Sequence, residues 1–253
     1  MSRSSKKKLV LLHGWGFTTN VWSCIEPQLS SHFYIYNIEL PGYGNLANYA
    51  NLTVTQMANI LVTKIPDKTL LLGWSLGGLV ATKIAQLWPE KILGLITVAS
   101  SPCFSSTAGW PGIKPKFFYD FFNKLNTNII HTINNFIVLQ TMNTNSSYSD
   151  TRWLKKQFFS QKIPSIHVLN AGLMLLFKCD LRYVLPTIKL PLLRLYGNLD
   201  PLIPEKSIQI IDKLCLSQSN SLSITFYGAA HVPFLSHARI FCRQLFFFSS
   251  LIK

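Results

Sequence analysis

The chain has 253 residues, of which 48% are hydrophobic and 13% charged, and its formal net charge is +14. This length and composition suit one α/β domain with a sizeable core and exclude a disordered chain. No apolar run reaches the roughly 18 residues of a membrane span, and no nucleic-acid-binding motif accompanies the basic charge. The five cysteines include no C-x-x-C pair, which predicts reduced thiols in a cytoplasmic protein, with neither a disulfide framework nor a zinc site.

Short apolar runs predict six strands, and segments with helical spacing lie between several of them. The strands are predicted over 8–12, 34–40, 70–73, 93–99, 192–196 and 223–227. Continuous apolar runs of this kind are typical of strands that are buried on both faces of a parallel sheet. Helices are predicted over 54–64, 76–88 and 207–216. This alternation predicts a doubly wound α/β fold.

The middle of the chain interrupts the alternation. Between about Pro102 and Pro186 no segment has a convincing strand pattern, and several stretches have the spacing of amphipathic helices. A helical block inserted into an α/β chain is typical of a lid over a site. We therefore predict a core formed by residues 1–101 and 187–253, with a helical cap inserted at 102–186.

The segment LLLGWSLGGLV, residues 70–80, places one serine between two glycines at a predicted strand-to-helix junction. The pattern G-x-S-x-G arises by chance in roughly one chain in ten of this length. In α/β hydrolases the nucleophile sits on such a turn, and the glycines prevent clashes around its strained backbone. Ser75 is therefore a candidate nucleophile, although this segment alone also allows a small residue in a tight turn.

A nucleophilic serine needs a histidine base, which in turn needs a carboxylate, and in this fold they follow the serine in the order Asp/Glu, then His. Asp200 follows the predicted strand 192–196, and His231 follows the last predicted strand. The carboxyl ends of parallel strands meet at one edge of the sheet, where active sites form. We therefore predict that Ser75, Asp200 and His231 form a catalytic triad.

Other acidic residues and histidines are weaker candidates. Asp180 and Asp212 lie within or beside helical stretches, which favours solvated positions. His237 is close to His231 but falls in the next helical segment, where an exposed or capping role is expected.

The oxyanion of an acyl-transfer intermediate needs two backbone N–H donors. One is predicted at Leu76, which follows the nucleophile, and the other at Trp15, in the His-Gly loop after the first strand. His13 is expected to hold this loop by hydrogen bonding. The indole of Trp15 is expected to line the acyl pocket, and Trp74 could belong to the core or to the pocket.

Several segments together resemble the pimeloyl-[acyl-carrier protein] methyl ester esterases of biotin synthesis. They are LVLLHGWG, LPGYG, LGWSLGGLVA, TVASSPCFS, WPGIKP, LRLYGNLD and AAHVPF. The resemblance extends from about Leu9 to the C-terminus. It implies a cytoplasmic, monomeric serine carboxylesterase with a four-helix cap and no cofactor or metal. Such an enzyme removes the methyl group that masks the far carboxylate of a pimeloyl chain on acyl-carrier protein.

The resemblance also implies roles for individual residues. It makes Ser75, Asp200 and His231 the triad, and it gives Trp15 and Leu76 contacts to the oxyanion and the substrate. The cap segment FIVLQ matches the substrate-lining segment of that family, and its residues are Phe136, Ile137, Val138, Leu139 and Gln140.

Basic cap residues meet the acidic carrier protein in that family. Arg152, Lys155 and Lys156 fit this role here. The chain departs from the family pattern where arginines are expected, with His131, Asn135 and Tyr148 at those places. Docking of the carrier protein is therefore less firmly implied than ester hydrolysis.

Other functions remain open on the sequence alone. The same fold could serve a general short-chain carboxylesterase or the menaquinone-pathway lyase, which uses a similar triad. A binding module with a decayed site, or a basic adaptor for a carrier protein or a membrane surface, would belong to another class. Labelling of Ser75 by a fluorophosphonate probe separates an active serine hydrolase from both of these.

Overall fold

The fold is built on one six-stranded sheet, seen in a computed structural model that describes residues 6–47, 49, 51–216 and 220–252. The order across the sheet is β2-β1-β3-β4-β5-β6, and each neighbouring pair is parallel. The strands are β1 (Lys7–Leu12), β2 (Phe33–Ile38), β3 (Thr69–Trp74), β4 (Ile92–Val98), β5 (Leu192–Gly197) and β6 (Ser221–Phe226). Each of the six predicted strands is therefore present, within two residues of its predicted bounds.

Helices cover both faces of this sheet, as parallel strands require. The helices outside the segment between β4 and β5 are α1 (Glu26–Leu29), α2 (Val54–Val62), α3 (Leu76–Leu87), α8 (Glu205–Leu214), α9 (Pro233–Ser236) and α10 (Ala238–Leu251). Every residue of β3 and β5 is buried, which explains why these strands are continuous apolar runs. The prediction of an α/β fold with a mostly parallel sheet is confirmed.

Four helices lie between β4 and β5: α4 (Pro115–Thr127), α5 (Ile129–Thr141), α6 (Ser147–Phe159) and α7 (Ile166–Lys178). Helix α4 packs against α5 and α7, and α5 packs against α6. The segments before and after these four helices lie next to each other. The Leu181 amide, which follows α7, donates to the carbonyl of Pro102, which precedes α4, at 2.7 Å. We call these four helices the cap, and the division of the chain into core and cap at 102–186 stays a prediction.

In the part of the chain that the structure describes, no helix is long and apolar enough to cross a membrane. All five cysteines are free. Burial raises the pKa of the thiols of Cys24, Cys179 and Cys242 to about 12. These thiols stay protonated at neutral pH, so they are poor nucleophiles.

Two carboxylates that were expected on solvated faces are partly exposed and also form ion pairs. Asp180 accepts hydrogen bonds from Arg182, which lowers the pKa of that carboxyl. Asp212 accepts from the guanidinium of Arg194, which lies on β5 and is 4% exposed. Their side chains are 40% and 42% exposed, in agreement with that expectation, but helical spacing does not show which neighbouring side chain such a carboxylate meets.

The pair between Arg194 and Asp212 should matter for stability. Removing one partner of a buried pair costs about 3–5 kcal/mol. Asp212 is 42% exposed, so we expect Asp212→Ala to lower the free energy of unfolding by about 2–3 kcal/mol. The matched control is Asp120→Ala, because Asp120 is 49% exposed and pairs only with Lys116 one helical turn away. It should cost less than about 0.5 kcal/mol. Urea titration measures both, and equal losses would contradict the prediction.

Candidate active site

Ser75 lies at the sharp turn between β3 and α3, and its backbone is strained. Its φ of 54° and ψ of −117° are conformations that non-glycine residues rarely adopt. The flanking glycines are sterically required. A Cβ at Gly73 would lie 2.2 Å from the carbonyl oxygen of Gly77, and a Cβ at Gly77 would lie 2.5 Å from that of His13. The turn therefore needs glycine at both places, as the sequence motif predicts.

Three hydrogen bonds hold the backbone of this turn. The Ser75 amide donates to the Val98 carbonyl at 2.9 Å, and the Gly78 amide donates to the Ser75 carbonyl at 2.9 Å. The buried hydroxyl of Ser100 also donates to the Ser75 carbonyl, at 2.8 Å. The role of Ser100 was not predicted, since no local pattern links it to the motif 25 residues earlier in the chain.

Asp200 and His231 are brought together from the ends of β5 and β6. The Oδ2 atom of Asp200 lies 2.8 Å from Nδ1 of His231. Its Oδ1 atom accepts from the backbone amides of Leu202 and Ile203 at 2.8 and 3.3 Å. A carboxylate accepts hydrogen bonds, so the Nδ1 atom carries the proton and the Nε2 atom keeps its lone pair. Among the described residues this buried Nε2 has no hydrogen-bond partner.

The backbone of His231 is held from two sides. The indole N–H of Trp74, the residue before Ser75, donates to the His231 carbonyl at 3.0 Å. The His231 amide donates to the carbonyl of Gln140, at the end of cap helix α5, also at 3.0 Å. The sequence left open whether Trp74 belongs to the core or to the pocket. Trp74 is buried and is not among the residues that line the cavity at Ser75, so it belongs to the core. Neither contact has a sequence signal, because each joins distant parts of the chain.

The loop after β1 lies next to the Ser75 turn. The Nδ1 atom of His13 lies 2.9 Å from the Gly14 carbonyl oxygen, and its Nε2 atom lies 3.0 Å from the Leu40 amide nitrogen and 2.9 Å from Oε2 of Glu39. These bonds give His13 the loop-holding role that the sequence predicts. Leu76 is the first residue of α3, and the first amides of a helix lack intrahelical partners. The assignment of the Leu76 and Trp15 amides as oxyanion donors stays a prediction.

Ser75 opens into a small apolar cavity of about 20 Å³ between the sheet and the cap. The indole of Trp15 forms part of its wall, and the indole N–H donates to the Leu169 carbonyl of α7 at 2.8 Å. Most of the other lining side chains are aromatic or aliphatic and come from the cap or its approaches: Phe104, Ile113, Phe117, Phe118, Phe121, Phe136, Leu173 and Leu176.

The five residues of the FIVLQ segment have different environments, because an α-helix turns about 100° per residue. Phe136 lines the cavity. Ile137 and Gln140 are buried, Leu139 is half-buried, and Val138 is 43% exposed. Phe136 is thus the residue of this segment that the cavity wall includes, and a substrate contact for the other four stays a prediction.

The predicted docking residues lie on α6 at a spacing that gives them a common face. Arg152 and Lys156 are exposed, and Lys155 is half-buried. None of the three forms an ion pair with another described residue. Their charges are therefore available to an acidic partner.

No group of three His, Cys, Asp or Glu side chains within the described ranges could hold a metal ion. The expectation that the chemistry needs no metal or cofactor stays a prediction.

The fold, with a serine on the turn after β3, is that of the α/β hydrolases. The family model described as "alpha/beta hydrolase fold" matches residues 7–238. Solved structures agree on the fold. An esterase from Exiguobacterium antarcticum has a TM-score of 0.83 at 20% identity and covers 96% of this chain and 91% of its own. A bromoperoxidase from Bacillus anthracis has a TM-score of 0.85 at 17% identity, with 98% and 93% covered.

Two relatives with curated names identify a particular family within the α/β hydrolases. A pimeloyl-[acyl-carrier protein] methyl ester esterase of Sodalis glossinidius is 46% identical over 245 residues, which are 97% of this chain and 94% of the relative. One from Klebsiella pneumoniae is 46% identical over 237 residues, or 94% and 91%. The chain therefore belongs to the family of pimeloyl-[acyl-carrier protein] methyl ester esterases within the α/β hydrolases, which confirms the resemblance found in the sequence.

The bond from Trp74 to His231 can be tested against a neighbouring tryptophan. Trp22 is also fully buried, its ring lies 6.4 Å from that of Trp74, and its indole N–H has no partner among the described residues. We expect Trp74→Phe to lower kcat roughly tenfold with little change in KM, because one hydrogen bond that orients His231 is lost.

Trp22→Phe removes the same atoms from the same aromatic cluster, so it should lower the melting temperature comparably and leave kcat nearly unchanged. Steady-state kinetics on a simple ester and thermal melts give both quantities. Equal losses of kcat in the two variants would show that packing, not the hydrogen bond, is what matters.

Proposed function

We propose that the chain is a serine carboxylesterase that hydrolyses the methyl ester of pimeloyl-[acyl-carrier protein] and releases methanol. The observation that carries the chemistry is the 2.8 Å pair between Asp200 and His231, which leaves an unpartnered Nε2 atom in a buried site. Ser75 on the strained turn, at one end of an apolar cavity, supplies the nucleophile. The substrate follows from the two relatives, whose names state this activity.

Acylation begins when the Ser75 hydroxyl attacks the carbonyl carbon of the methyl ester. The Nε2 atom of His231 accepts the hydroxyl proton, and Asp200 stabilises the resulting imidazolium without being protonated. The amides of Leu76 and Trp15 donate to the oxyanion of the tetrahedral intermediate. His231 then returns the proton to the departing methoxide, so methanol leaves and the pimeloyl group stays on Ser75.

Deacylation repeats these steps with water as the nucleophile. His231 takes a proton from the water as it attacks the acyl-enzyme, and then gives it back to the Ser75 oxygen. The product is a carboxylate at the far end of the pimeloyl chain. An apolar cavity binds this charge poorly, which favours release and prevents rebinding.

The methyl ester has to be distinguished from the thioester that links the chain to its carrier. We infer that the carrier docks outside the cap, so that only the far end of the acyl chain reaches Ser75. Arg152, Lys155 and Lys156 on α6 form the basic surface for this partner. The enzyme would act as a monomer in the cytoplasm, where its free thiols stay reduced.

The first test is hydrolysis of pimeloyl-carrier-protein methyl ester by the purified protein, with free dimethyl pimelate as a second substrate. We expect fast demethylation that prefers the carrier-linked ester. Ser75→Ala should lower kcat by a factor of roughly 10⁴ or more, because the nucleophile is lost. Near-full turnover in Ser75→Ala would refute the triad. Turnover of the free ester alone would leave a general carboxylesterase, the alternative that His131, Asn135 and Tyr148 on the cap favour.

The docking surface has its own test. Reversing all three charges with Arg152→Glu, Lys155→Glu and Lys156→Glu should raise KM for the carrier-linked ester at least tenfold at low salt, because attraction becomes repulsion. The values for dimethyl pimelate should stay the same, since this ester needs no carrier.

A matched control reverses three lysines away from the cap, Lys64, Lys68 and Lys213, which are exposed and form no ion pair with another described residue. An equal rise in KM for this variant would assign the effect to net charge rather than to the α6 surface.

A further inference from the structure

The peptide bond between Gly14 and Trp15 joins two parts of the site. Trp15 lines the cavity at Ser75, and its amide donates to no other residue that the structure describes. The Gly14 carbonyl and the Trp15 N–H belong to this one peptide unit and point in opposite directions. Groups that bind the carbonyl therefore act on the N–H that we predict as an oxyanion donor.

The Gly14 carbonyl oxygen has two donors. The Phe17 amide donates to it at 3.3 Å, and Nδ1 of His13 lies 2.9 Å away. Since a carbonyl oxygen only accepts, this nitrogen of His13 carries a proton and donates. Hydrogen bonds in series polarise one another, and His13 is fully buried, where water does not weaken this effect. A donor at the carbonyl thus makes the Trp15 N–H a stronger donor to an oxyanion.

The other ring nitrogen of His13 faces Glu39. The Oε2 atom of Glu39 lies 2.9 Å from Nε2 of His13. Its Oε1 atom accepts from the Thr19 hydroxyl at 2.8 Å and from the Thr19 amide at 3.2 Å. Two acceptor atoms 2.9 Å apart repel each other unless one of them carries a proton. A proton therefore lies between His13 and Glu39.

That proton strengthens the bond from His13 to Gly14. On Nε2 it makes the ring an imidazolium. On Glu39 it makes the carboxyl a donor to Nε2, beside the Leu40 amide, whose nitrogen lies 3.0 Å from that atom. Burial acts to raise the pKa of the Glu39 carboxyl, but the contacts with His13 and Thr19 lower this pKa below its ordinary value, which favours the proton on Nε2. In either case electron density is drawn from the ring, so the Nδ1–H becomes a stronger donor.

We propose that His13 and Glu39 are positioning residues of the oxyanion hole. Together they hold the Gly14–Trp15 peptide and polarise it, so that the Trp15 amide binds a charged oxygen more strongly. Holding the loop fixes only the place of this amide, whereas polarisation also raises its strength as a donor. The proposal rests on the proposed function, because it requires that Ser75 attacks an acyl carbon and that the Trp15 amide receives the oxyanion.

The test compares a charged adduct with a neutral substrate. When an alkyl trifluoromethyl ketone reacts with Ser75, the serine oxygen bonds to the carbonyl carbon and the hydroxyl proton moves to Nε2 of His231. The carbonyl oxygen becomes an oxyanion in the same place as in ester hydrolysis. Dimethyl pimelate, by contrast, binds as a neutral ester. The inhibition constant Ki of the ketone therefore depends on the strength of the oxyanion donors, whereas KM of the ester depends on it much less.

Two substitutions of His13 separate the roles of its two nitrogens. Asparagine places an amide nitrogen near the position of Nδ1 and keeps a donor to Gly14, whereas glutamine reaches the position of Nε2 and leaves the Gly14 carbonyl without this donor. Losing a whole oxyanion donor lowers kcat by about 10²–10³, so weakening one should have a smaller effect. We expect His13→Gln to lower kcat and raise Ki roughly tenfold with little change in KM, and His13→Asn to change each by less than about threefold.

Glu39→Gln tests the carboxyl group without changing its shape. The variant keeps an acceptor for Thr19 but shares no proton with His13. The side chain of Glu39 is 16% exposed, so this variant should fold even if both His13 variants melt too low to be assayed. We expect kcat to fall and Ki to rise roughly threefold with KM unchanged, because the bond from His13 to Gly14 is weakened but not lost.

The matched control is Tyr43→Phe, which removes a different hydrogen bond from the same loop. The buried hydroxyl of Tyr43 accepts from the Gly16 amide at 3.2 Å. Within the described part of the chain it forms no hydrogen bond with the Gly14–Trp15 peptide. This variant should lower the melting temperature and leave the ratio of Ki to KM unchanged.

Equal changes in His13→Asn and His13→Gln would overturn the proposal. So would a change of the ratio in Tyr43→Phe as large as that in His13→Gln, since the loop would then only be held in place. An unchanged ratio in Glu39→Gln would overturn the role of Glu39.

Failure of the proposed function gives a different result. If the wild-type protein hydrolyses dimethyl pimelate with Ser75 but not the carrier-linked ester, the proposed substrate is wrong, and the variants of His13 and Glu39 still decide the inference. If no Ser75-dependent hydrolysis is found, the chemistry is wrong and the inference falls with it. If hydrolysis is fast but the variants behave alike, only the inference is wrong.

Discussion

The close approach of α3 to the loop after β1 is the constraint on which the site depends. It is possible because Gly77 has no side chain, since a Cβ there would lie 2.5 Å from the His13 carbonyl oxygen. The approach puts the start of α3, with Leu76 as its first residue, beside the loop that carries Trp15. It also forces the chain between β3 and α3 through the strained conformation of Ser75, which hydrogen bonds from outside the turn maintain.

The parallel sheet supplies the other groups. Because β3, β5 and β6 run in the same direction, the segments that follow them meet at one edge. Asp200 is fixed there by two backbone amides and His231 by Asp200, Trp74 and Gln140. The histidine is thus held by the sheet on one side and by the cap on the other. Its Nε2 atom is left as the acceptor that a general base needs.

Much of this arrangement follows from local sequence patterns. The strands were predictable because buried parallel strands are continuous apolar runs, and the loop-holding role of His13 because it follows such a strand. The ion pair of Asp212 with Arg194 and the bond from Trp74 to His231 were not, because each joins residues that are far apart in the chain. The sequence also could not show which residues of the segment 136–140 face the cavity and which face solvent, because that depends on how the helix is oriented in the fold. Cavity volumes depend on the packing of all these elements at once.

The bond between the His231 amide and the Gln140 carbonyl limits how the cap can move. Gln140 belongs to α5, so lifting the cap as a rigid body would break this bond and loosen the histidine. The bond from the Trp15 indole to Leu169 opposes the same motion at α7. Access to Ser75 with the cap in place then depends on rearrangement of the side chains that line its cavity, and several of these, such as Phe118 and Leu173, are buried. A ligand that enters such a site does so by displacing side chains within the cap rather than by displacing the cap as a whole.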